Sequence, residues 1–319
     1  MWATEMEKLS VTRISNQRAT RCLQSRLLSV LAVVSLLFST NLSAQGRDTQ
    51  GRGTPYINTI IERFEAGLPS FQGPGEHWCN LPGIEGNPFS YPLIEQALID
   101  LKPPGADKPD CFPVVRIDYQ ADQEYKHIVA SLLNRGLGGI IIPTLDSVGD
   151  VINAVAAMRL PPRRNAPENL RYPYGVRGWN AGPAYRYWGL NADQYATIAD
   201  VWPLNPQGEL MVFIMIETPT AVREIRNILA VPGLSGVLIG AADLSMSMGL
   251  GKPGPDYFHP EVEAAVAEVA AACVEMGKLC GAYINPAEGV CPDTVCGVEY
   301  RVKQGFRLFT TGRRNYTGP

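Results

Sequence analysis

One stretch of the chain, LMVFIMIET (residues 210–218), indicates how the protein folds. The run is apolar on both faces and rich in bulky side chains, a pattern typical of a parallel strand that helices cover on both sides. A helical stretch (residues 218–229) follows at once, and then a second apolar run, SGVLIG (residues 235–240). Strand, helix and strand in this order predict two parallel strands joined by a crossover helix.

The same alternation continues through most of the chain. Other apolar runs lie at residues 113–117, 138–144, 279–284 and 306–311, and helical stretches at residues 122–137, 146–158 and 260–276. An open doubly wound sheet and a closed eight-stranded barrel both fit this pattern. No Gly-x-Gly-x-x-Gly motif follows an early strand, which weakens a dinucleotide-binding version. The segment GLGKP (residues 249–253) lacks the spacing of a phosphate-binding P-loop.

Composition excludes several classes of protein. The 319 residues carry 28 basic and 31 acidic side chains, for a formal net charge of −3, and only 18% of residues are charged. A disordered polyelectrolyte and a basic nucleic-acid binder are therefore excluded. The length allows either one α/β barrel of about 250 residues or two smaller domains.

The N-terminal segment has the features of an export signal. Residues 1–26 contain five basic and two acidic side chains, residues 27–38 are apolar, and the small residues Ser43 and Ala44 follow. This order predicts a secretory signal peptide over residues 1–44. The apolar run is shorter than the ~20 residues of a membrane-spanning helix. We expect a periplasmic or secreted protein with no stable membrane span; a short membrane anchor or a misassigned start codon are the alternatives.

Cysteine usage is compatible with export. Six cysteines follow the predicted signal peptide: Cys79, Cys111, Cys273, Cys280, Cys291 and Cys296. An even number in an exported chain allows up to three disulfides, although their pairing does not follow from sequence. The absence of Cys-x-x-Cys argues against a zinc ribbon or a thioredoxin-like site. Free or buried thiols remain the alternative.

Charged side chains stand at the ends of three apolar runs. Arg116 ends one run, Glu217 ends the longest, and Asp243 closely follows a third. A charge in this position needs a partner, a metal or a substrate. In α/β barrels the catalytic groups lie at the carboxyl ends of the strands. The pattern therefore indicates either a functional site or buried salt bridges that only stabilise the barrel.

Two motifs carry a resemblance to a known family. The segment IET (residues 216–218) and the downstream segment GAADLS (residues 240–245) together resemble the HpcH/HpaI aldolase/citrate lyase family of phosphoenolpyruvate/pyruvate-binding barrels. Supporting segments are PVVR (113–116), GIIIPT (139–144), RLPP (159–162) and GVRG (175–178). The resemblance runs from about Tyr56 to Gly312, and residues 186–203 resemble an insertion of a longer-loop subgroup. It implies a (β/α)8 TIM barrel as a single domain over residues 57–319. Residues 45–56 are polar and rich in Gly and Thr, which predicts a flexible tether before this domain.

The resemblance also implies a site and a reaction. Glu217 and Asp243 match the family's protein ligands to a divalent metal, Mg²⁺ or Mn²⁺ with Co²⁺ as an alternative. Arg116 matches the arginine that steadies an enolate oxygen. Gly240 and the backbone N–H groups of Ala242 and Asp243 match the cradle for the substrate carboxylate. The implied activity is reversible aldol cleavage of a small 4-hydroxy-2-oxo acid to pyruvate and an aldehyde, in a homo-oligomer.

Several positions depart from the family's pattern. Gly83 and Gly86 stand where the family carries an aspartate and a proton-transferring histidine, so His77 becomes the candidate for proton transfer only if the alignment shifts. Met215 replaces a glutamine that often precedes the metal-binding glutamate. Few residues separate the first two predicted strands. We therefore expect abbreviated early strands, and a shortened C-terminus because little sequence follows the last strand.

Three functions are compatible with these residues. The first is a metal-dependent carbon–carbon lyase of the class II pyruvate aldolase type. The second is a metal-dependent binding protein for 2-oxo acids that lacks catalysis, which the glycines at positions 83 and 86 favour. The third is a citrate lyase-like enzyme acting on an acyl-coenzyme A thioester, which an exported location disfavours.

Overall fold

The computed structural model describes residues 56–81, 90–117, 124–282, 297–313 and 316–318. These residues belong to one compact unit, Asp48–Pro319. The predicted signal peptide and residues 45–55 of the predicted tether lie outside the described residues. No helix in the described part of the chain is long and apolar enough to cross a membrane.

The described strands form one parallel sheet in the order β1-β8-β7-β6-β5-β4-β3-β2. They are β1 (Ser70–Phe71), β2 (Trp78–Asn80), β3 (Phe112–Arg116), β4 (Gly139–Ile142), β5 (Met211–Ile216), β6 (Gly236–Ile239), β7 (Leu279–Ala282) and β8 (Leu308–Phe309). A parallel bridge between Gln72 and Trp78 joins the two edges of the sheet. The sheet is therefore a nearly closed barrel, and the expected (β/α)8 architecture is confirmed.

Helices connect the strands. They are α1 (Thr59–Glu65), α2 (Tyr91–Leu101), α3 (Lys126–Leu133), α4 (Val148–Met158), α5 (Gly182–Tyr187), α6 (Ala192–Ile198), α7 (Pro219–Arg223), α8 (Ile225–Leu229), α9 (Ala241–Ser247), α10 (Pro260–Glu275) and α11 (Val298–Gln304). The single helix expected over residues 218–229 is two short helices separated at Glu224. Thr218 caps α7 by accepting a hydrogen bond from the Ala221 N–H, which starts the helix directly after the end of β5.

Alternate residues of each strand pack on the two sides of the barrel wall. Val114, Ile141, Phe213 and Leu238 belong to an inner cluster, whereas their neighbours pack against the outer helices. Helix α1 adds Ile60 and Ile61 to the inner cluster, so this helix closes the amino-terminal end of the barrel. The functional end is therefore the opposite one, where the strands terminate.

The first two strands are abbreviated, as expected. β1 has 2 residues and β2 has 3, and the short connection between them contains no helix. The C-terminal segment covers this place instead, since the Tyr316 ring lies 5.5 Å from the Phe71 ring. In the described residues after β8 no helix follows.

One disulfide joins Cys79 in β2 to Cys111, which immediately precedes β3. Cys273 and Cys280 are free thiols buried between α10 and β7. Cys291 and Cys296 lie outside the described residues. Among the described cysteines, one pair therefore forms a disulfide and two remain buried free thiols, the two possibilities that the sequence left open.

Candidate active site

Glu217 is the first residue after β5 and is only 2% exposed. Its Oε2 accepts a hydrogen bond of 3.0 Å from the backbone N–H of Thr144. Its Oε1 is buried and has no hydrogen-bond partner in the protein. A buried carboxylate oxygen without a donor is unfavourable on its own, so this atom indicates the place of a ligand.

Burial and nearby charges together shift the pKa of Glu217. Burial, and next the nearby charge of Asp243, raise the pKa of Glu217 to about 6, while the Thr144 N–H and Arg116 act to lower it. The carboxylate is therefore held in surroundings that disfavour its negative charge. A cation bound beside it would reverse this effect.

The end of β6 is shaped around Glu217. A Cβ atom on Gly240 would lie 2.7 Å from both Cγ and Oε1 of Glu217, so only glycine leaves room for the carboxylate. Helix α9 begins directly after Gly240 and carries Ala242 and Asp243 in its first turn. Backbone N–H groups in a first turn have no partner within the helix, which leaves them available to a bound anion.

Arg116 is the last residue of β3, and its backbone N–H donates to Asn80 Oδ1 at 3.1 Å. Its Nε donates to the Met215 sulfur at 3.0 Å. Met215 therefore does more than replace the expected glutamine, because its thioether is a weak acceptor that positions the guanidinium. Arg116 and Glu217 stand at the ends of the strands on either side of β4, and the charge of Arg116 lowers the pKa of Glu217.

The end of β4 contributes residues that the sequence analysis did not select. Thr144 has a positive φ of 54°, and its buried hydroxyl has no partner. Asp146 Oδ1 is also buried without a partner, and the charge of Asp146 raises the pKa of Glu217. The sequence carried a signal for both residues, because Thr144 ends the apolar run at residues 138–144 and Asp146 follows it closely.

Comparisons with known proteins identify the family of this chain. The model of the HpcH/HpaI aldolase/citrate lyase family matches residues 97–287. The chain belongs to that family. The hydroxypyruvate/pyruvate aldolase of Agrobacterium fabrum is 30% identical over 72% of this chain and 75% of its own. The 4-hydroxy-2-oxo-heptane-1,7-dioate aldolase of Salmonella paratyphi C is 33% identical, covering 69% and 72%.

A solved structure gives the same result for the fold. A HpcH/HpaI aldolase/citrate lyase family protein from Burkholderia cenocepacia superposes with a TM-score of 0.61 at 25% identity, over 80% of this chain and 92% of that one. With family membership and aldolases as relatives, this member of the HpcH/HpaI family is an enzyme of the lyase class, an aldolase.

In this family member His77 lies against Phe71 of β1 and Arg313 of the C-terminal segment. The His77 ring accepts a hydrogen bond of 3.0 Å from the Phe71 N–H, and its other nitrogen lies 3.4 Å from Arg313. Burial, and next the charge of Arg63, lower the pKa of His77 to about 4. A catalytic role for His77 stays a prediction, and Gly83 and Gly86 lie outside the described residues.

The donor set at Glu217 fits a hard divalent cation. Within the described ranges no group of three or more His, Cys, Asp or Glu side chains is arranged to hold a metal. Glu217 and Asp243 together offer two carboxylates, and Glu217 Oε1 has no protein partner. Mg²⁺ typically takes one or two carboxylates and completes its octahedron with water and substrate oxygens. The residues present therefore fit such an ion.

Two other family-like segments lie at the opposite end of the barrel. Arg159 follows α4 and forms a buried salt bridge with Asp200, which precedes the bridge of Val201 with Leu210 at the start of β5. Arg177 is also buried and donates to the Ala199 carbonyl at 3.0 Å. The RLPP and GVRG segments therefore stabilise the amino-terminal end and take no part in the site.

Proposed function

We propose that the protein is a divalent-metal-dependent aldolase that cleaves a 4-hydroxy-2-oxo acid to pyruvate and an aldehyde. The observation that carries the proposal is the Oε1 atom of Glu217, which is buried and has no hydrogen-bond partner. The charges of Asp243 and Arg116 both act on this carboxylate. The aldolase names of the relatives support the same reaction class. When bound, the cation would supply Lewis acidity at the 2-oxo group.

Arg116 would stabilise the negative charge that develops as the carbon–carbon bond breaks. Met215 holds the guanidinium of Arg116 and Asn80 holds its backbone, so the positive charge of Arg116 is in position before the substrate arrives. Preorganised charge of this kind is worth about 10²–10³ in rate. A guanidinium donates hydrogen bonds and accepts none, so Arg116 acts as an electrostatic group.

The start of α9 would bind the substrate carboxylate. The backbone N–H groups of Ala242 and Asp243 have no helical partner, and Gly240 allows the chain to approach the ligand closely. A carboxylate held there fixes the 2-oxo acid beside Glu217. This orientation places the oxo oxygen towards Arg116 and the carboxylates.

Exchange of the pyruvate methyl protons for deuterium tests the proposal. We expect ¹H NMR to show loss of the methyl signal in D₂O with Mg²⁺, Mn²⁺ or Co²⁺, and about a 100-fold slower exchange in Glu217→Gln. Glu224→Gln, which changes a carboxylate between α7 and α8, is the matched control and should exchange normally. Exchange no faster than in buffer with all three metals would refute enolisation as the activity.

A second candidate is a metal-dependent 2-oxo acid binding protein without turnover. The surroundings of His77 favour it, because one ring nitrogen accepts a hydrogen bond from the Phe71 N–H and the other contacts Arg313, which leaves neither nitrogen free to move a substrate proton. This function predicts metal-dependent binding of oxalate that is lost in Glu217→Gln, together with no deuterium exchange into pyruvate. Calorimetry and the NMR assay on one preparation separate the two functions.

We also propose that the protein is exported. The disulfide between Cys79 and Cys111 supports this location, because disulfides persist in oxidising compartments and are rare in the cytosol. Mass spectrometry of the mature N-terminus checks the proposal, with cleavage expected near Ala44. An intact N-terminus on the protein recovered from cytosol would contradict it.

A further inference from the structure

Basic side chains gather at the edge of β1 that faces away from β8, four strands from β5 in the order of the sheet. Arg63 Nε donates to the Pro69 carbonyl at 2.7 Å, and His77 Nδ1 accepts from the Phe71 N–H at 3.0 Å. Backbone groups two residues apart along a strand point to the same edge. The side chains of Arg63 and His77 therefore lie next to each other.

The C-terminal segment brings a second arginine to this place. Arg313 Cζ lies 5.8 Å from the centre of the Phe71 ring, and Arg313 Nη2 lies 3.4 Å from His77 Nε2. Burial, and next the charge of Arg313, lower the pKa of Arg63. Three segments, which are α1, the connection before β2 and the residues after β8, thus each supply one nitrogen-bearing side chain.

The tautomer of His77 makes its contact with Arg313 a contact between two donors. Nδ1 accepts a hydrogen bond and so carries the lone pair, which puts the proton of the neutral ring on Nε2. The ring is neutral at pH 7, because burial and the charge of Arg63 lower its pKa to about 4. A guanidinium only donates. The two N–H groups therefore need an acceptor that both can reach.

Arg63 adds a third donor, since its Nη2 is buried and has no hydrogen-bond partner among the described residues. The nearby carboxylate, Glu76, is engaged elsewhere. It accepts from the Arg313 backbone N–H at 3.3 Å and lies 3.5 Å from Arg313 Nε and 3.9 Å from His77 Nδ1. Two arginines against one glutamate leave an excess of one positive charge, which a bound anion would balance.

We infer that Arg63, His77 and Arg313 form a binding site for a small oxyanion, held through the oxygens of a carboxylate or a phosphate group. Such oxygens accept charge-assisted hydrogen bonds from guanidinium and imidazole N–H groups. The side chains of His77 and Arg313 are 15% and 45% exposed, so a small ion reaches them from solvent. The bound anion would join the C-terminal segment to the edge of β1.

Nuclear magnetic resonance of the imidazole rings tests the site in the metal-free protein at pH 7. The chain has three histidines, and the signals that vanish in His77→Gln belong to His77. Titration with sodium acetate or sodium phosphate should shift the His77 signals saturably and leave the other two rings unchanged. Two charge-assisted hydrogen bonds to one ion predict half-saturation at about 1–10 mM. Sodium chloride at matched ionic strength is the control for screening.

Arginine variants check which side chains hold the ion. Arg63→Gln and Arg313→Gln should each weaken binding about tenfold, because each removes one charged donor. Arg163→Gln, which changes an exposed arginine after α4, should bind as the unmodified protein does. If Arg63→Gln does not fold by circular dichroism, Arg313→Gln decides the question, since Arg313 is largely exposed.

Several results would overturn the inference. They are no saturable shift with either oxyanion, an equal shift with chloride, and unchanged affinity in the arginine variants. Tighter binding of acetate assigns a carboxylate ligand, and tighter binding of phosphate assigns a phosphate group. Glu217→Gln should bind the ion normally, so failure of the proposed function leaves this site untouched. Loss of the His77 shift in Glu217→Gln would refute a separate site.

Discussion

Glu217 and Arg159 are equally buried, each with 2% of its surface exposed, but their surroundings differ. Arg159 donates to Asp200 at 2.6 and 2.9 Å and also to the carbonyls of Pro173 and Leu170. Glu217 accepts one hydrogen bond through Oε2 and none through Oε1. The protein itself satisfies the charge of Arg159, whereas it leaves Glu217 Oε1, at the candidate site, for a ligand.

The largest effect is expected on stability, when Arg159 is replaced. Arg159→Ala should lower the free energy of unfolding by about 3–5 kcal/mol, because it leaves Asp200 without its partner and frees two carbonyls. Urea denaturation measures this loss. Arg163→Ala removes an exposed arginine from the same loop and should change stability by less than about 0.5 kcal/mol. A loss below about 1 kcal/mol in Arg159→Ala would mean that water readily replaces the network.

A smaller effect, on catalytic activity, is expected when Gly240, which lies beside the Glu217 carboxylate, is replaced. Gly240→Ala places a Cβ 2.7 Å from Cγ and Oε1 of Glu217, so the carboxylate must move. Displacement of a catalytic group by about 1 Å costs roughly 100-fold in rate, which is about 2.7 kcal/mol. Deuterium exchange into pyruvate measures it. Gly178→Ala is the matched control, since its Cβ meets no atom within 4 Å, and normal exchange in Gly240→Ala would contradict the assigned geometry.

The sequence predicted the strands of this barrel better than its polar contacts. The run at residues 210–218 contains β5 (Met211–Ile216), and Glu217 and Arg116 were selected because they end apolar runs. These features depend on local patterns alone. The bond between Thr144 and Glu217 depends on the register of β4 against β5 and on a positive φ, and neither is encoded in a pattern of apolar residues.

The early strands show a second reason why the strands could be predicted from the sequence better than the contacts between residues. The shortage of residues before β3 predicted the missing helix, but not that Tyr316, from far along the chain, would pack on Phe71 in its place. The Cys79–Cys111 pair likewise depends on β2 lying beside β3. Contacts between distant segments follow from the assembled barrel, whereas element types follow from the local sequence.

The smallest effect concerns pH in the metal-free protein. The pKa of Glu217 is raised from its usual 4.5 to about 6, so between these values the folded state binds more protons than the unfolded state. Its contribution to stability therefore falls by about 2 kcal/mol as pH rises from about 4.5 to 6. His77, with its pKa lowered to about 4, contributes a slope of the opposite sign in an overlapping range.

The measurement is therefore a difference between two proteins. The unfolding free energy of Glu217→Gln minus that of the unmodified chain should grow by about 2 kcal/mol from pH 4.5 to pH 6, because the variant keeps the His77 slope and loses the Glu217 slope. Mg²⁺ added above pH 6 should stabilise only the unmodified chain. A difference independent of pH would mean that Glu217 is satisfied within the protein in the same way as Arg159, and the contrast between the two ends of the barrel would fail.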